Sequence, residues 1–462
     1  MQRALPDREH RTNDGWSVCE GQVFFRKMTP PAPADAIVPG PSATLSSVAS
    51  DSQRRRNTRA ILATALVARL LVMWGVVEIN PRNWLFTRGI EMGLLGTSLI
   101  HGLGYSSPFG VNTGPTAFIA PGYPTLVAAV FLVFGSDSFA SAITIMLLQL
   151  VVCLCTIWLM MHVARETFGD RAANLAGAFW AVSIPVLWMP TVFWETSLSA
   201  CSVMGMIALA LRCRRHPTKA AWVLWGATAA IVALINPALL PSILAIMGLV
   251  AYETWRVART APLLGLLALL LVFSPWPIRN AYRFHAFIPL RSTVGFELWM
   301  GNRPGATGYL DVSLFPSFNK KELDDYIAKG EVAYTRGKSE QAWTYIRANP
   351  GTFVALTLRR FFRFWTGTGN PNGSPFFPLF IVPTTVLGFS GLFMLYHRRQ
   401  RCFADLMALP LLLFPLPYYI THAEFRYRLN IDPLLTILAA YAVTQWANQS
   451  ATRKDHQPAS SA

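Results

Sequence analysis

The sequence predicts an all-α polytopic membrane protein with about ten transmembrane helices. Of its 462 residues, 53% are hydrophobic and only 14% are charged, whereas a soluble domain carries roughly 25% charged residues. Runs of about 20 apolar residues are long enough to span a bilayer. Because backbone amides cannot stay unpaired in lipid, and because the runs lack the alternation of a membrane β-barrel, we expect these segments to be helices.

Ten apolar runs meet this length. They cover residues 60–77, 139–162, 172–193, 195–211, 220–235, 238–253, 261–277, 376–396, 404–420 and 431–447. Residues 1–57 hold clustered prolines, scattered serines and mixed charge without periodicity, which predicts a disordered cytoplasmic tail before an uncleaved first helix. Residues 58–447 then form the membrane domain, and residues 448–462 form a second cytoplasmic tail.

Basic residues cluster in alternate short loops, which predicts the orientation of the chain. Examples are Arg54, Arg55 and Arg56 before the first span, and Arg398, Arg399 and Arg401 after the eighth. By the positive-inside rule these loops and both termini are cytoplasmic. The excess of 40 Lys and Arg over 24 Asp and Glu is therefore a signal of topology, and no nucleic-acid partner is expected.

Two large segments are expected on the outer face, at about 78–138 and 278–374. The apolar run PGYPTLVAAVFLVFG at residues 121–135 is short and opens with two prolines, so we expect it to lie at the outer membrane surface without crossing. In the second segment, KKELDDYIAKGEVAYTRGKSEQAWTYIRANP predicts one or two amphipathic helices, and FVALTLRRFFRFW predicts an interfacial helix. Function is expected in these segments.

Two carboxylates are candidates for acid–base chemistry. Glu91 is the acidic residue of an otherwise apolar predicted helix near lipid. A carboxyl group buried there would have a raised pKa and could act as a general base. The alternative is that Glu91 is a solvated charge at the end of the helix, beside Arg88. Glu195 lies at the outer mouth of the third and fourth spans. An acid in the first turn of a helix also simply favours the helix dipole.

Arginines on the outer face break the positive-inside trend and call for an anionic partner. Arg279 follows the seventh span, and Arg426 and Arg428 precede the tenth. A guanidinium group suits phosphate, although ion pairs with Glu424 or Asp432 would serve equally. Arg69 lies within the first span. A charge at such a position either has a functional role or pairs with backbone carbonyls or an acid inside the bundle, and the sequence does not distinguish the two.

Other chemistries find little support in the sequence. The histidines lack metal-ligand spacing, the cysteines form no Cys-x-x-Cys pattern, and no phosphate-binding glycine loop or nucleophile elbow occurs. We therefore expect no bound nucleotide and no certain cofactor or metal, although a divalent cation shared by Glu91 and Glu195 stays open.

Three stretches resemble integral-membrane glycosyltransferases of the GT-C fold, the group of protein O-mannosyltransferases and lipid A aminoarabinose transferases. They are GLGYSSPFG with TGPTAFIAPGYP, SPWPIRNAYRFHAFIPLRSTVGFELWMGN, and RYRLNIDPLL. The resemblance implies a polyprenyl-phosphate sugar donor, transfer to an acceptor hydroxyl on the extracytoplasmic face, and a carboxylate base in the first outer segment. Many relatives carry an Asp-Glu pair there, where this chain has Arg88 and Gly89, with Glu91 close behind.

Two other functions stay open at this stage. A transporter or flippase of lipid-linked sugars tends to have inverted repeats, broken helices and paired charges within the membrane, whereas the polar residues here gather on one face. A catalytically inactive scaffold is compatible with the missing Asp-Glu pair. The acceptor itself is not predicted.

Overall fold

A computed structural model describes residues 41–79, 91–136, 138–368 and 375–455 and confirms the all-α membrane fold. Within these residues the backbone is helical with no strand, apart from one isolated antiparallel bridge between Ser106 and Pro115. The first half of the described chain contains helices α1 (Pro41–Ile79), α2 (Glu91–Ile100), α3 (Gly122–Phe134), α4 (Phe139–Phe168), α5 (Asp170–Val182), α6 (Ile184–Leu187), α7 (Thr196–Arg215) and α8 (Lys219–Ile235).

The second half carries the helices of the large outer segment and the last spans. These are α9 (Leu240–Thr254), α10 (Thr260–Phe273), α11 (Pro275–Phe284), α12 (Val294–Gly301), α13 (Lys320–Lys329), α14 (Glu331–Ala348), α15 (Pro350–Thr366), α16 (Phe377–His397), α17 (Arg401–Leu413), α18 (Leu416–Ile420), α19 (Phe425–Arg428) and α20 (Asp432–Asp455). The amphipathic stretch predicted as one or two helices is two, α13 and α14, which meet at Gly330 with φ +73°.

The number of spans differs from the sequence prediction of about ten. Among the described residues, seven helical segments are long and apolar enough to cross a membrane, or eight if α5 and α6 count as one bent span. Two further predicted spans, 220–235 and 431–447, are helical but do not meet that criterion. Helix α8 has only 17 residues, and α20 is long enough with 24 residues but is not apolar enough along its length.

The predicted span 172–193 is helical but not continuous, because the chain bends by 68° between α5 and the following helical residues. Pro185 and Pro190 cannot donate backbone hydrogen bonds, so the helix cannot continue through them. The carbonyls of Trp180 and Ala181 at the end of α5 accept hydrogen bonds from the buried Arg69 at 3.3 and 3.0 Å. Arg69 thus satisfies backbone carbonyls at the break, one of the two alternatives open from the sequence.

Helical structure extends from the membrane domain into both predicted tails. Helix α1 begins at Pro41, so the part of the 1–57 tail that the structure describes is helical, and residues 1–40 lie outside the described residues. Helix α20 likewise continues into the predicted 448–462 tail as far as Asp455, and residues 456–462 lie outside the described residues.

The bundle packs through a large apolar core and close helix contacts. At the crossing of α8 and α10, a Cβ atom on Gly226 would lie 1.8 Å from the carbonyl oxygen of Gly265. Small residues of this kind let membrane helices approach closely, where dispersion contacts stabilise the pair.

The short helix α3 packs on α2 and has 13 residues. At 1.5 Å per residue it is about 20 Å long, which is shorter than the hydrocarbon layer.

Candidate functional site

A cavity of about 820 Å³ lies where the two outer segments meet the ends of the membrane helices. Its wall comes from the start of α2, the break after α6, the loop before α13 and the stretch around α19. Aromatic side chains make up much of that wall. Six charged side chains also line it: Glu91, Glu195, Arg291, Glu297, Glu424 and Arg426.

Glu91, the first residue of α2, is a buried carboxyl group in this cavity. Its side chain is 8% exposed, and burial raises its pKa from 4.5 to about 7. Its own backbone amide, the Ser317 hydroxyl at 3.4 Å and the charge of Arg426 act in the opposite direction by favouring the ionised form. A carboxyl group that titrates near neutral pH can hold and release a proton, as a general base must.

Glu195 faces the same cavity from the start of α7. It immediately precedes the helix, and its side chain makes no capping hydrogen bond there. Its Oε2 atom is buried and has no hydrogen-bond partner among the described residues. The structure therefore brings Glu91 and Glu195 to one cavity.

Arg426 is the one sequence-predicted arginine that lines the described cavity. Its guanidinium group pairs with Glu424 and lies over the ring of Trp194, 4.0 Å from the centroid. Burial is the largest effect on its pKa and lowers it, but Glu424, Tyr427 and Glu195 together raise the pKa above its usual value. Arg426 therefore stays cationic. The ion pair with Glu424, an alternative from the sequence, is present at the cavity wall.

Arg279 and Arg428 lie elsewhere and contact the protein itself. Arg279 donates hydrogen bonds to the carbonyls of Thr116 and Tyr105 at 2.7 and 2.8 Å. Arg428 is fully buried, pairs with Asp432 at 2.7 Å, and donates to the backbone between helices. Neither lines the cavity, so its geometry does not support the predicted phosphate-binding role of these two arginines.

Arg291 and Glu297 are cavity residues that the sequence did not single out. They form an ion pair of 2.9 Å. Glu297 raises the pKa of Arg291 although burial opposes it. Both lie inside the long motif that begins SPWP, on which the family resemblance partly rests. That resemblance does not distinguish these two residues from the others in the motif as members of a site. Their pairing depends on the turn that leads into α12, which residue types alone do not reveal.

Several polar atoms of the cavity wall are left without partners. His422 bonds to the Tyr427 hydroxyl at 2.7 Å, and burial together with nearby arginines lowers its pKa to about 3, so its ring is neutral. The hydroxyl of Tyr123, Nε1 of Trp188 and Nδ1 of His422 are buried without a hydrogen-bond partner among the described residues. Such atoms are costly to leave unpaired, so the wall is suited to a ligand that both donates and accepts hydrogen bonds.

A buried carboxylate holds the two outer segments together beside the cavity. Glu331, at the start of α14, accepts hydrogen bonds from Thr116, Ser292 and Tyr326 at 2.6 to 2.7 Å, and from the backbone amide of Ala117 at 2.8 Å. Because these residues belong to distant parts of the sequence, Glu331 fixes the relative position of the cavity walls.

The donor set of the cavity does not fit a dedicated metal site. In the part of the chain that the structure describes, no group of three or more His, Cys, Asp or Glu side chains is arranged to hold a metal ion. Glu297 and Glu424 are already paired with arginines, which leaves Glu91 and Glu195. We therefore assign no step of the chemistry to a metal.

The fold is similar to that of solved membrane glycosyltransferases, whereas no family model and no curated protein matches the chain. The oligosaccharyltransferase of Archaeoglobus fulgidus matches in its apo form with a TM-score of 0.50 and 14% identity over 86% of this chain and 51% of that one. Its complex with Zn and sulfate matches with a TM-score of 0.50 and 14% identity over 85% and 50%.

A further match is ArnT from Cupriavidus metallidurans bound to undecaprenyl phosphate, with a TM-score of 0.35 and 13% identity over 83% of this chain and 79% of that one. The chain spans about half the length of the oligosaccharyltransferase structures. At this identity the likeness is one of fold, and the oligosaccharyltransferase matches confirm the expected GT-C fold.

Proposed function

We propose that the chain is a glycosyltransferase that moves a sugar from a polyprenyl-phosphate donor to an acceptor hydroxyl on the extracytoplasmic face of the membrane. The observation that carries this proposal is the cavity itself, which combines a buried carboxyl group of pKa about 7 at Glu91 with the cationic side chains of Arg291 and Arg426. These are the two kinds of group that displacement of a lipid phosphate requires.

In the proposed reaction, the ionised Glu91 takes the proton of the acceptor hydroxyl. The hydroxyl oxygen then forms a bond to the anomeric carbon of the sugar, and the bond between that carbon and the phosphate oxygen breaks. The electron pair leaves with the polyprenyl phosphate, whose negative charge Arg426 and Arg291 stabilise. A base matched to the working pH contributes about 10²–10⁴ to the rate.

Glu195 is assigned a positioning role in this scheme. It lies next to Trp194, on whose ring Arg426 rests, and its charge favours the cationic form of Arg426. The unpaired polar atoms of Tyr123, Trp188 and His422 support a ligand rich in hydroxyl groups. The extracytoplasmic face is proposed from the basic loops, which predict that both large segments lie outside, and residues of both segments line the cavity.

A transporter of lipid-linked sugars is the second candidate, because one observation favours it. The break between α5 and α6 places Trp188 on the cavity wall, and broken helices often form binding sites in transporters. An inactive scaffold is the weaker alternative, since it gives no reason for a buried carboxyl group with a neutral-range pKa at Glu91.

The test uses purified full-length protein in detergent with a pool of lipid-linked sugars and membrane-derived acceptors. A detergent micelle does not separate two compartments, so transport of a lipid-linked sugar cannot occur in it. A glycosyltransferase, in contrast, still converts its donor in a micelle. We expect acceptor-dependent release of free polyprenyl phosphate. A protein that binds the donor, releases no polyprenyl phosphate, and moves it across sealed vesicles would contradict the proposal.

A further inference from the structure

A second concave region lies at the far end of α16 from the cavity, and its composition is different. This groove, of about 740 Å³, runs between α16 and α20. Phe389, Phe393 and Trp446 form its apolar wall, and His397, Arg398 and Gln449 lie at one end. Phe393 is 69% exposed and Trp446 is 41% exposed, so these rings face the surroundings of the bundle.

Close packing of the two helices explains how the groove arises. At Gly391, an added Cβ atom would lie 2.1 Å from the carbonyl oxygen of Leu438, which marks the point of closest approach. The exposed rings of Phe393 and Trp446 stand beside this contact and line the groove. Arg398 bridges them again at the end of α16 by donating to Oε1 of Gln445 at 2.6 Å.

The charge at that end of the groove is positive. Arg398 is exposed, and Arg399 and Arg401 follow in the same turn. No acidic side chain lines the groove in the described part of the chain. Clusters of arginine next to a membrane helix attract anionic lipid headgroups, each basic residue contributing about 1 kcal/mol. A tryptophan at the same level is typical of the membrane interface.

We propose that this groove binds one anionic phospholipid, with its phosphate on Arg398 and its acyl chains along Phe389, Phe393 and Trp446. The length fits one leaflet, since the 14 residues from Thr385 to Arg398 cover about 20 Å. The groove begins at Thr385, about 12 Å along α16 from Phe377 on the cavity wall, and its Arg398 end is about 30 Å from Phe377. The phosphate end of the groove therefore belongs to the opposite leaflet, and the binding does not depend on the proposed transfer chemistry.

The test is native mass spectrometry of the full-length protein in detergent, titrated with phosphatidylglycerol or with phosphatidylcholine of the same chain length. We expect one phosphatidylglycerol adduct that is held more tightly than phosphatidylcholine. Arg398→Ala should lower its affinity about fivefold, the factor for one arginine near the headgroup. Gln445→Ala is the matched control, because it removes the bridge between the helices but keeps the charge, and it should retain the lipid.

A second variant separates lipid loss from a folding defect. Ser390→Trp fills the groove from a half-buried position on its wall, so it should exclude the lipid while the arginine stays in place. Equal binding of the two lipids, or full phosphatidylglycerol binding by both Arg398→Ala and Ser390→Trp, would overturn the proposal. The proposal would also be overturned if the wild-type protein formed a dimer instead of a lipid adduct and the Ser390→Trp variant did not form that dimer.

Discussion

At the scale of single residues, Glu91 and Arg426 share one cavity but meet different electrostatic conditions. Burial raises the pKa of Glu91 to about 7, while Glu424 keeps Arg426 cationic despite its burial. The two groups thus have separate tasks, because one exchanges a proton and the other keeps a fixed charge. The folded protein binds the proton of Glu91 more tightly than the unfolded chain does, because burial raises the pKa from 4.5 to about 7. Protonated Glu91 therefore contributes to folding stability fully below pH 4.5, and this contribution is lost as the pH rises through about 7.

Arg426 and Arg428 are two residues apart and are predicted to behave differently when replaced by alanine. Arg426→Ala should lower donor use about ten- to hundredfold, because a charge-assisted hydrogen bond contributes roughly 1.5–3 kcal/mol. Arg428→Ala should instead lower stability by about 3–5 kcal/mol, because it leaves the buried carboxylate of Asp432 unpaired. Donor kinetics and thermal unfolding of both purified variants check this.

Arg426→Lys serves as the control in that comparison, since it keeps the charge and should recover part of the donor use. A well-folded Arg428→Ala protein with the donor defect expected of Arg426→Ala would restore the phosphate-binding role that the sequence suggested for Arg428.

At the scale of elements, the residue pattern predicted most helices, but it did not predict what holds them in place. The two outer helices α13 and α14 follow from an amphipathic stretch with a glycine between them. The bend after α5 is not evident from apolarity, because the apolar run continues without interruption through Pro185 and Pro190. Glu331 was missed because its partners Thr116 and Ser292 are 215 and 39 residues away, which no local pattern reveals.

Glu331→Gln is predicted to loosen the junction of the outer segments. The replacement puts an amide nitrogen where the carboxylate accepts four hydrogen bonds, so at least one donor is left facing another donor. We expect a loss of about 1.5–3 kcal/mol in unfolding free energy, measured by thermal unfolding in detergent. Glu340→Gln on the same helix is exposed and should be neutral. Equal stability of the two variants would contradict a structural role for Glu331.

At the scale of the whole molecule, composition predicted the membrane fold, and a resemblance in three loose motifs predicted the GT-C class. Fewer of the described helices than the ten predicted spans are long and apolar enough to cross a membrane, because α8 has only 17 residues and the second half of α20 is polar. Within the site, Glu91, Glu195 and Arg426 were anticipated, whereas Arg291 was not, since its position depends on how the second outer segment folds over the first.

The orientation of the whole chain is a prediction from its basic loops and is testable by cysteine labelling. On a cysteine-free background, an impermeant thiol reagent added to intact cells should label Glu340→Cys and should not label Arg215→Cys. Glu340 lies on the outer helix α14, and Arg215 lies at the end of α7, paired with Glu166 at 2.8 Å. The reverse pattern would place the cavity on the cytoplasmic face.

The pH–rate profile of Glu91→Gln tests the central claim most directly. The wild-type rate of sugar transfer should rise through about pH 7, where the carboxyl group of Glu91 loses its proton. Glu91→Gln keeps the shape of the side chain but cannot accept a proton. We expect its rate to fall by about 10²–10⁴ and to lose that rise with pH, while donor binding and expression stay normal and Glu195→Gln is affected less. A Glu91→Gln protein that keeps most of its activity and its pH profile, beside an inactive Glu195→Gln, would contradict the account.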